Sequence, residues 1–243
     1  MKLQGIGASA GIGIGRAVCV REQNLDYSSV PYAGAEQEKD RLCRAIECFT
    51  ARTQAMAETL RERLGDKEAE ILEGQITMLE DPFLRSQMEE AIDGGSTAEA
   101  ALDGVCQSSI DLFSSMDDEL MRQRAADIGD IRARMLGILL GREGVELSAL
   151  PAGTVLVARD LTPSMTVGLD REHVAGILTE TGGKTSHSAI LARALEVPAV
   201  LSVPGALDAV RDGMELVVDG GAGVAILSPG DAELADYRAR QAA

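Results

Sequence analysis

Apolar residues recur every three or four positions through the middle of the chain. In the first such stretch they stand at Leu42, Ile46, Phe49, Thr53, Met56, Leu60 and Leu64. This is the period of one face of an α-helix. Asp81-Pro82 and the run at residues 93–96 interrupt the pattern, since proline lacks a backbone donor and glycine favours a helix end. The spacing predicts four helices joined by short connections and packed as a bundle.

The pattern changes near residue 150 to short runs rich in β-branched residues. Strands are predicted at residues 154–158, 176–179, 199–203, 216–218 and 224–227, and helices at residues 163–169 and 187–196. A β-like run at residues 16–21 has no other sheet to join. We therefore expect one α/β domain built from both chain ends, residues 1–22 and 147–230, with a helical subdomain at 33–145 inserted between them. Residues 231–243 are expected to be a linker or the start of a helix.

The net charge of the chain indicates which classes of macromolecule it could bind. The chain has 39 acidic against 23 basic residues, a formal net charge of −16. A nucleic-acid partner is disfavoured because phosphate backbones require basic surfaces. The excess acid favours either plain solubility or a basic protein partner that is steered in by the field. Both interpretations stay open.

The cysteine pattern and hydropathy bear on location. The four cysteines form no CxxC pair and no Cys/His metal spacing; they are Cys19, Cys43, Cys48 and Cys106. We expect reduced thiols, as in a cytoplasmic protein. The N-terminus lacks a signal-peptide pattern, and no apolar window of about 18 residues predicts a membrane span.

Candidate chemistry centres on one of the two histidines. His187 follows Gly182-Gly183-Lys184-Thr185-Ser186 and opens a run of helical composition. Glycines allow a tight turn and a close ligand, and a helix N-terminus attracts anions. Neutral imidazole is a nucleophile, so a phosphoryl-binding histidine is one interpretation. An ordinary polar residue at a helix start is the other.

Two motif likenesses fail on their context. Residues 5–10 fit the G-x-G-x-x-A form of a dinucleotide-binding loop, but only four residues precede them and a β-like run follows. Gly183-Lys184-Thr185 resembles the end of a P-loop, but the required earlier glycine is Leu178. A metal site is not expected either, because His173 and His187 are not spaced as ligands on one helix.

A family resemblance is carried by residues 182–199, which read GGKTSHSAILARALEVPA. They resemble the phosphohistidine signature of Enzyme I, the phosphoenolpyruvate–protein phosphotransferase family of the bacterial sugar phosphotransferase system. Residues 6–12, 73–81, 124–131 and 160–164 resemble other motifs of that family, in order. Pyruvate phosphate dikinase and phosphoenolpyruvate synthase share the histidine domain, but they typically have Thr-Cys-His and lack the helical insert. They are the alternative within the phosphotransfer class.

The resemblance implies a fold and a site. The fold would be an α/β swivelling phosphohistidine domain built from both chain ends, with an inserted four-helix-type α subdomain. His187 would be phosphorylated on Nε2, and Thr166 would hydrogen-bond its ring. The best candidates to hold the phosphoryl oxygens are Gly183, Lys184, Thr185 and Ser186.

The resemblance also implies a protein partner. In the family the helical insert docks the small phosphocarrier HPr, which is basic around its own histidine. The matching positions here are Met78, Leu79, Leu84, Phe113, Met121 and Arg124. The alternative for each is ordinary bundle core, and Met78 and Phe113 are the better interface candidates. Lys67 and the Pro82-Phe83 pair depart from more acidic positions of the family.

The family continues into a C-terminal barrel that binds phosphoenolpyruvate and Mg²⁺ and dimerises. We expect this chain to be an N-terminal fragment that is monomeric and needs no cofactor. It would exchange phosphoryl groups with HPr but would not use phosphoenolpyruvate alone. A non-catalytic, acidic protein-interaction module is the alternative from a different class.

Overall fold

The computed structural model describes residues 1–21, 25–142, 147 and 149–242, without the side chains of Glu68, Glu119 and Thr166. The chain divides into two compact units. Met1–Glu22 and Val145–Ala243 form an α/β unit, and Gln23–Gly144 form a helical unit. Both ends of the chain therefore contribute to one unit.

The helical unit contains five helices in its described part: α1 Ala35–Leu64, α2 Asp66–Leu79, α3 Pro82–Asp93, α4 Ala98–Ser115 and α5 Glu119–Leu139. Their apolar faces enclose one core, in which Phe49, Leu102 and Met135 have no exposed surface. Each large apolar side chain buried in this way contributes about 1.5–3 kcal/mol. Among the described helices, none is long and apolar enough to cross a membrane.

The described part has five helices where four were predicted, because Asp81-Pro82, expected to break or restart the second helix, starts a separate helix. Its carboxylate accepts hydrogen bonds from the backbone N–H groups of Phe83 (2.8 Å) and Leu84 (3.3 Å). Pro82 occupies the first helical position, where a missing N–H costs nothing. The N-cap Asp81 and the following Pro82 therefore separate α2 from α3.

The α/β unit is built on a mixed sheet. Its described strands are β1 Lys2–Gln4, β2 Ile6–Ser9, β3 Ile12–Val20, β4 Thr154–Ala158, β5 Val174–Thr179, β6 Ala199–Leu201, β7 Glu215–Asp219 and β8 Val224–Leu227. They lie in the order β1-β8-β7-β3-β4-β5-β6-β2. β3 pairs in parallel with β4 and antiparallel with β7, which confirms that the N-terminal strand joins the C-terminal sheet.

Four described helices accompany this sheet: α6 Pro163–Thr166, α7 His187–Ala194, α8 Ala206–Ala209 and α9 Asp231–Gln241. Of the two expectations for residues 231–243, a linker or the start of a helix, the helix is confirmed by α9. Leu234 and Tyr237 of α9 pack against Val217 and Ile226 of the sheet. Because this contact removes apolar surface from water, α9 belongs to the α/β unit.

Candidate functional site

His187 is the first residue of α7, and the turn before it explains why the helix begins there. Gly182 has φ of 99°, a backbone conformation that glycine adopts without steric cost. Ser186 is the N-cap: its Oγ accepts a hydrogen bond from the Ala189 N–H (3.4 Å) and donates one to the Gly183 carbonyl oxygen (2.9 Å). The prediction that a hydroxyl residue caps this helix is confirmed for Ser186.

This turn lies at the carboxyl edge of the parallel strands. β4, β5 and β6 run parallel, and α7 connects β5 to β6. The Thr181 N–H donates to the Arg159 carbonyl oxygen just after β4 (2.9 Å), and the Ser202 hydroxyl donates to the Gly182 carbonyl oxygen just after β6. Open α/β sheets bind ligands outside this edge.

Arg193 braces the same turn from the other end of α7. One guanidinium nitrogen donates to the Lys184 carbonyl oxygen (3.0 Å) and to the Ala8 carbonyl oxygen (3.3 Å). Side chains on a helix lean toward its N-terminus, which lets Arg193 reach back to the turn.

Residues 5–10, the glycine-rich segment that resembled a dinucleotide-binding loop, contain strand β2 instead of a loop that opens a helix.

The predicted phosphate-binding residues have different surroundings. Lys184 and Thr185 are exposed, whereas Gly183, Ser186 and His187 are half-buried. A Cβ atom built on Gly183 would meet nothing within 4 Å. The backbone here is therefore open to a ligand. The Ser186 hydroxyl is engaged in capping, so its contribution comes through the shape of the turn.

Thr166 ends α6, and its side chain lies outside the described part of the structure. Its hydrogen bond to the histidine ring stays a prediction. His173, the second histidine, lies before β5 with its Nδ1 atom 3.5 Å from an Asp170 carboxylate oxygen. Among the described residues, no group of three or more His, Cys, Asp or Glu side chains could hold a metal ion.

The predicted partner-binding positions separate into core and surface. Leu79 is 2% exposed, so it belongs to the core and has almost no surface for a partner. Met78, Leu84 and Phe113 pack against that core while keeping part of their surface. Met121 is half-buried, and Arg124 is exposed.

Four large exposed apolar side chains in these helices or directly after α4 were not predicted as surface. They are Phe83 (69% exposed), Leu112 (55%), Met116 (38%) and Leu120 (55%). Their sequence signal is an apolar residue that stands outside the buried stripe of its helix. Contiguous patches of such side chains mark surfaces that bind other proteins, whereas single exposed apolar side chains are ordinary.

Comparison with known proteins identifies the family. Residues 4–124 match the family described as PEP-utilising enzyme, N-terminal, and residues 150–223 match PEP-utilising enzyme, mobile domain. The chain is 38% identical over 242 residues to the phosphoenolpyruvate-protein phosphotransferase of Priestia megaterium, covering 99% of this chain and 42% of that protein. The Bacillus subtilis protein of the same name is 38% identical over 237 residues, with 97% and 42% covered.

The chain thus spans about two-fifths of the length of these curated relatives. Among solved structures it is similar to the NMR solution structure of Enzyme I (nEIt), with 33% identity and a TM-score of 0.78 over 99% of this chain and 98% of that one. These matches favour Enzyme I over the dikinase alternative. The chain therefore belongs to the Enzyme I family, the phosphoenolpyruvate–protein phosphotransferases, and corresponds to the N-terminal domain of its members.

Proposed function

We propose that this chain is a phosphoryl relay of the sugar phosphotransferase system. His187 accepts a phosphoryl group, from phosphoenolpyruvate in the longer protein, and passes it to HPr. The observation that supports this most directly is the position of His187. It is a half-buried imidazole at the first residue of a capped helix, at the edge of the sheet where α/β proteins bind ligands.

The chemistry follows from a neutral imidazole. The Nε2 lone pair attacks phosphorus, a P–N bond forms, and the P–O bond to the enol oxygen breaks, so that enolpyruvate leaves with the electron pair. In the second step an imidazole nitrogen of the carrier attacks the phosphoryl group, a new P–N bond forms, and the P–Nε2 bond breaks with its electron pair returning to His187. A covalent intermediate divides the transfer into two easier steps. Catalysis then depends on in-line positioning and charge stabilisation.

The turn before His187 is suited to that charge. Helix N-termini favour negative groups by about 0.3–1 kcal/mol at exposed positions. Lys184 adds a positive charge, Thr185 adds a hydroxyl donor, and Gly183 leaves the backbone accessible. We assign Thr166 to the ring hydrogen bond that leaves Nε2 as the nucleophile.

The helical unit is proposed to dock HPr. Met78, Leu84 and Phe113 are half-buried and keep part of their surface. The exposed side chains of Phe83 and Leu112 directly precede Leu84 and Phe113 in sequence, and flexible and aromatic side chains of this kind suit an adaptable interface. The net charge of −16 complements a basic partner. A cytoplasmic location accompanies this proposal, and Mg²⁺ is required only with the C-terminal region of the longer protein.

The test uses HPr that carries labelled phosphohistidine. The chain should acquire acid-labile label, and His187→Ala should abolish it. His173→Ala is the matched control, since it removes the other histidine of the same unit. Label on the His187→Ala protein, or none on the wild type, would refute the relay. Rapid labelling by phosphoenolpyruvate and Mg²⁺ alone would contradict the need for the C-terminal region.

The same assay tests the interaction-module alternative. A non-catalytic module would bind HPr without acquiring label, and its affinity would not depend on His187. Raising the salt concentration should weaken HPr binding under either function, because opposite charges are screened.

A further inference from the structure

Three segments of the α/β unit meet at the Asp160 carboxylate, which contacts the first turn of the histidine helix although it lies 28 positions before Ser188. Asp160 Oδ1 accepts hydrogen bonds from the Ser188 hydroxyl and from the Leu161 N–H (2.8 Å). The Leu161 N–H also lies 3.2 Å from Ser188 Oγ. A Cβ atom built on Gly182 would stand 3.6 Å from the same Oδ1. One oxygen therefore contacts the first turn of α7 and adjoins the glycine turn.

Burial makes this contact specific. Ser188 has no exposed surface, so its hydroxyl must find its partner within the protein. A hydrogen bond to a carboxylate is about twice as strong as a neutral one. The bond therefore holds Ser188, the residue directly after His187, against the chain that leaves β4.

That chain leads into α6. Pro163 begins α6 three positions after Asp160, and α6 ends at Thr166, the proposed partner of the histidine ring. The Asp160–Ser188 bond thus links the helix that bears the histidine to the segment that bears the threonine.

We propose that Asp160 and Ser188 are positioning residues for phosphoryl transfer. Their bond sets the first turn of α7 relative to α6 and so orients the His187 ring for in-line attack. Displacing reacting groups by about 1 Å can slow a reaction by about 10²-fold, so this bond should matter to the rate. The inference rests on the proposed relay function.

Ser9 of strand β2 supplies a matched control, because it contacts the same helix. It is another buried serine, 7% exposed, and its Oγ donates to the Ala192 carbonyl oxygen (3.2 Å). Ala192 lies near the end of α7 that is remote from His187. Ser9→Ala therefore removes a buried hydroxyl contact to α7 without touching its first turn.

The experiment measures transfer from phospho-HPr to the two variants. Ser188→Ala should lower the maximal rate about tenfold or more. Its KM for phospho-HPr should stay within about twofold, because the helical unit is unchanged. Ser9→Ala should stay within about twofold of wild type in both constants. Equal rate losses in the two variants, or a rise in KM at unchanged maximal rate, would overturn the positioning role.

Two further measurements keep the test decisive. Asp160→Asn retains the acceptor oxygen but removes the charge, so it should slow transfer in the same direction by a smaller factor. A wild-type rate in Asp160→Asn would count against the proposal even if Ser188→Ala failed to fold. The ¹⁵N NMR shifts of the His187 ring should change in Ser188→Ala and not in Ser9→Ala. This readout needs no phosphoryl transfer, so it separates a failure of positioning from a failure of the relay itself.

Discussion

Removing the cap of α7 should destabilise that helix and slow phosphoryl transfer together. Ser186→Ala deletes the oxygen that accepts from the Ala189 N–H and donates to the Gly183 carbonyl oxygen. Loss of an N-cap costs about 1 kcal/mol. Loss of the second hydrogen bond adds about 0.5–1.5 kcal/mol. We therefore expect α7 to lose about 2 kcal/mol of local stability.

The helical unit offers a matched cap. Thr97 is the N-cap of α4, and its Oγ1 accepts from the Ala100 N–H at 3.3 Å, close to the 3.4 Å found at Ser186. Thr97→Ala should therefore cost about 1 kcal/mol in a helix remote in sequence from His187. It repeats the chemistry of the cap without disturbing the histidine turn.

Amide hydrogen exchange followed by NMR is the assay. The Ala189 amide should exchange about 30-fold faster in Ser186→Ala, and the Ala100 amide about fivefold faster in Thr97→Ala. Transfer from phospho-HPr should slow only in Ser186→Ala, since His187 directly follows the cap. An unchanged Ala189 exchange rate would refute the capping geometry. Equal slowing of transfer in both variants would refute its link to the site.

Two other predictions concern ionisable groups. Burial alone raises the pKa of the Glu38 carboxyl, but backbone hydrogen bonds and the Arg41 guanidinium outweigh it and lower that pKa. The ionised Glu38 carboxylate therefore stabilises the fold at pH values above the ordinary glutamate pKa of 4.5, and this stabilisation is lost as the pH falls through the lowered pKa. Glu38→Gln should make the free energy of unfolding, measured by circular dichroism, fall less steeply at acid pH. Burial raises the pKa of the Cys106 thiol to about 12, and burial with the Asp212 carboxylate raises that of Cys19 to about 11. Alkylation at pH 8 should therefore reach the other two thiols first, and peptide mapping that finds Cys106 labelled early would contradict this.

Local patterns predicted most of the regular structure. The helical period anticipated α1 and α4, and β-branched runs anticipated β4, β7 and β8. The cap at Ser186 could also be predicted, because a hydroxyl before a helical run satisfies unpaired N–H groups within three residues. The sequence did not predict β1 and β2. These strands are too short, and too rich in glycine or polar residues, to show the alternation of apolar and polar positions that marks a strand.

The sequence by itself determined which segments are helix or strand and which histidine is the candidate nucleophile, because those signals depend on neighbours a few positions apart. Only the tertiary structure decided that Asp160 meets Ser188, which lies 28 positions away. The tertiary structure also decided that position 220 must be a glycine, because a Cβ atom there would lie 1.8 Å from the Ser9 carbonyl oxygen. Such contacts depend on how separate segments pack, and packing is a property of the whole fold rather than of any local pattern.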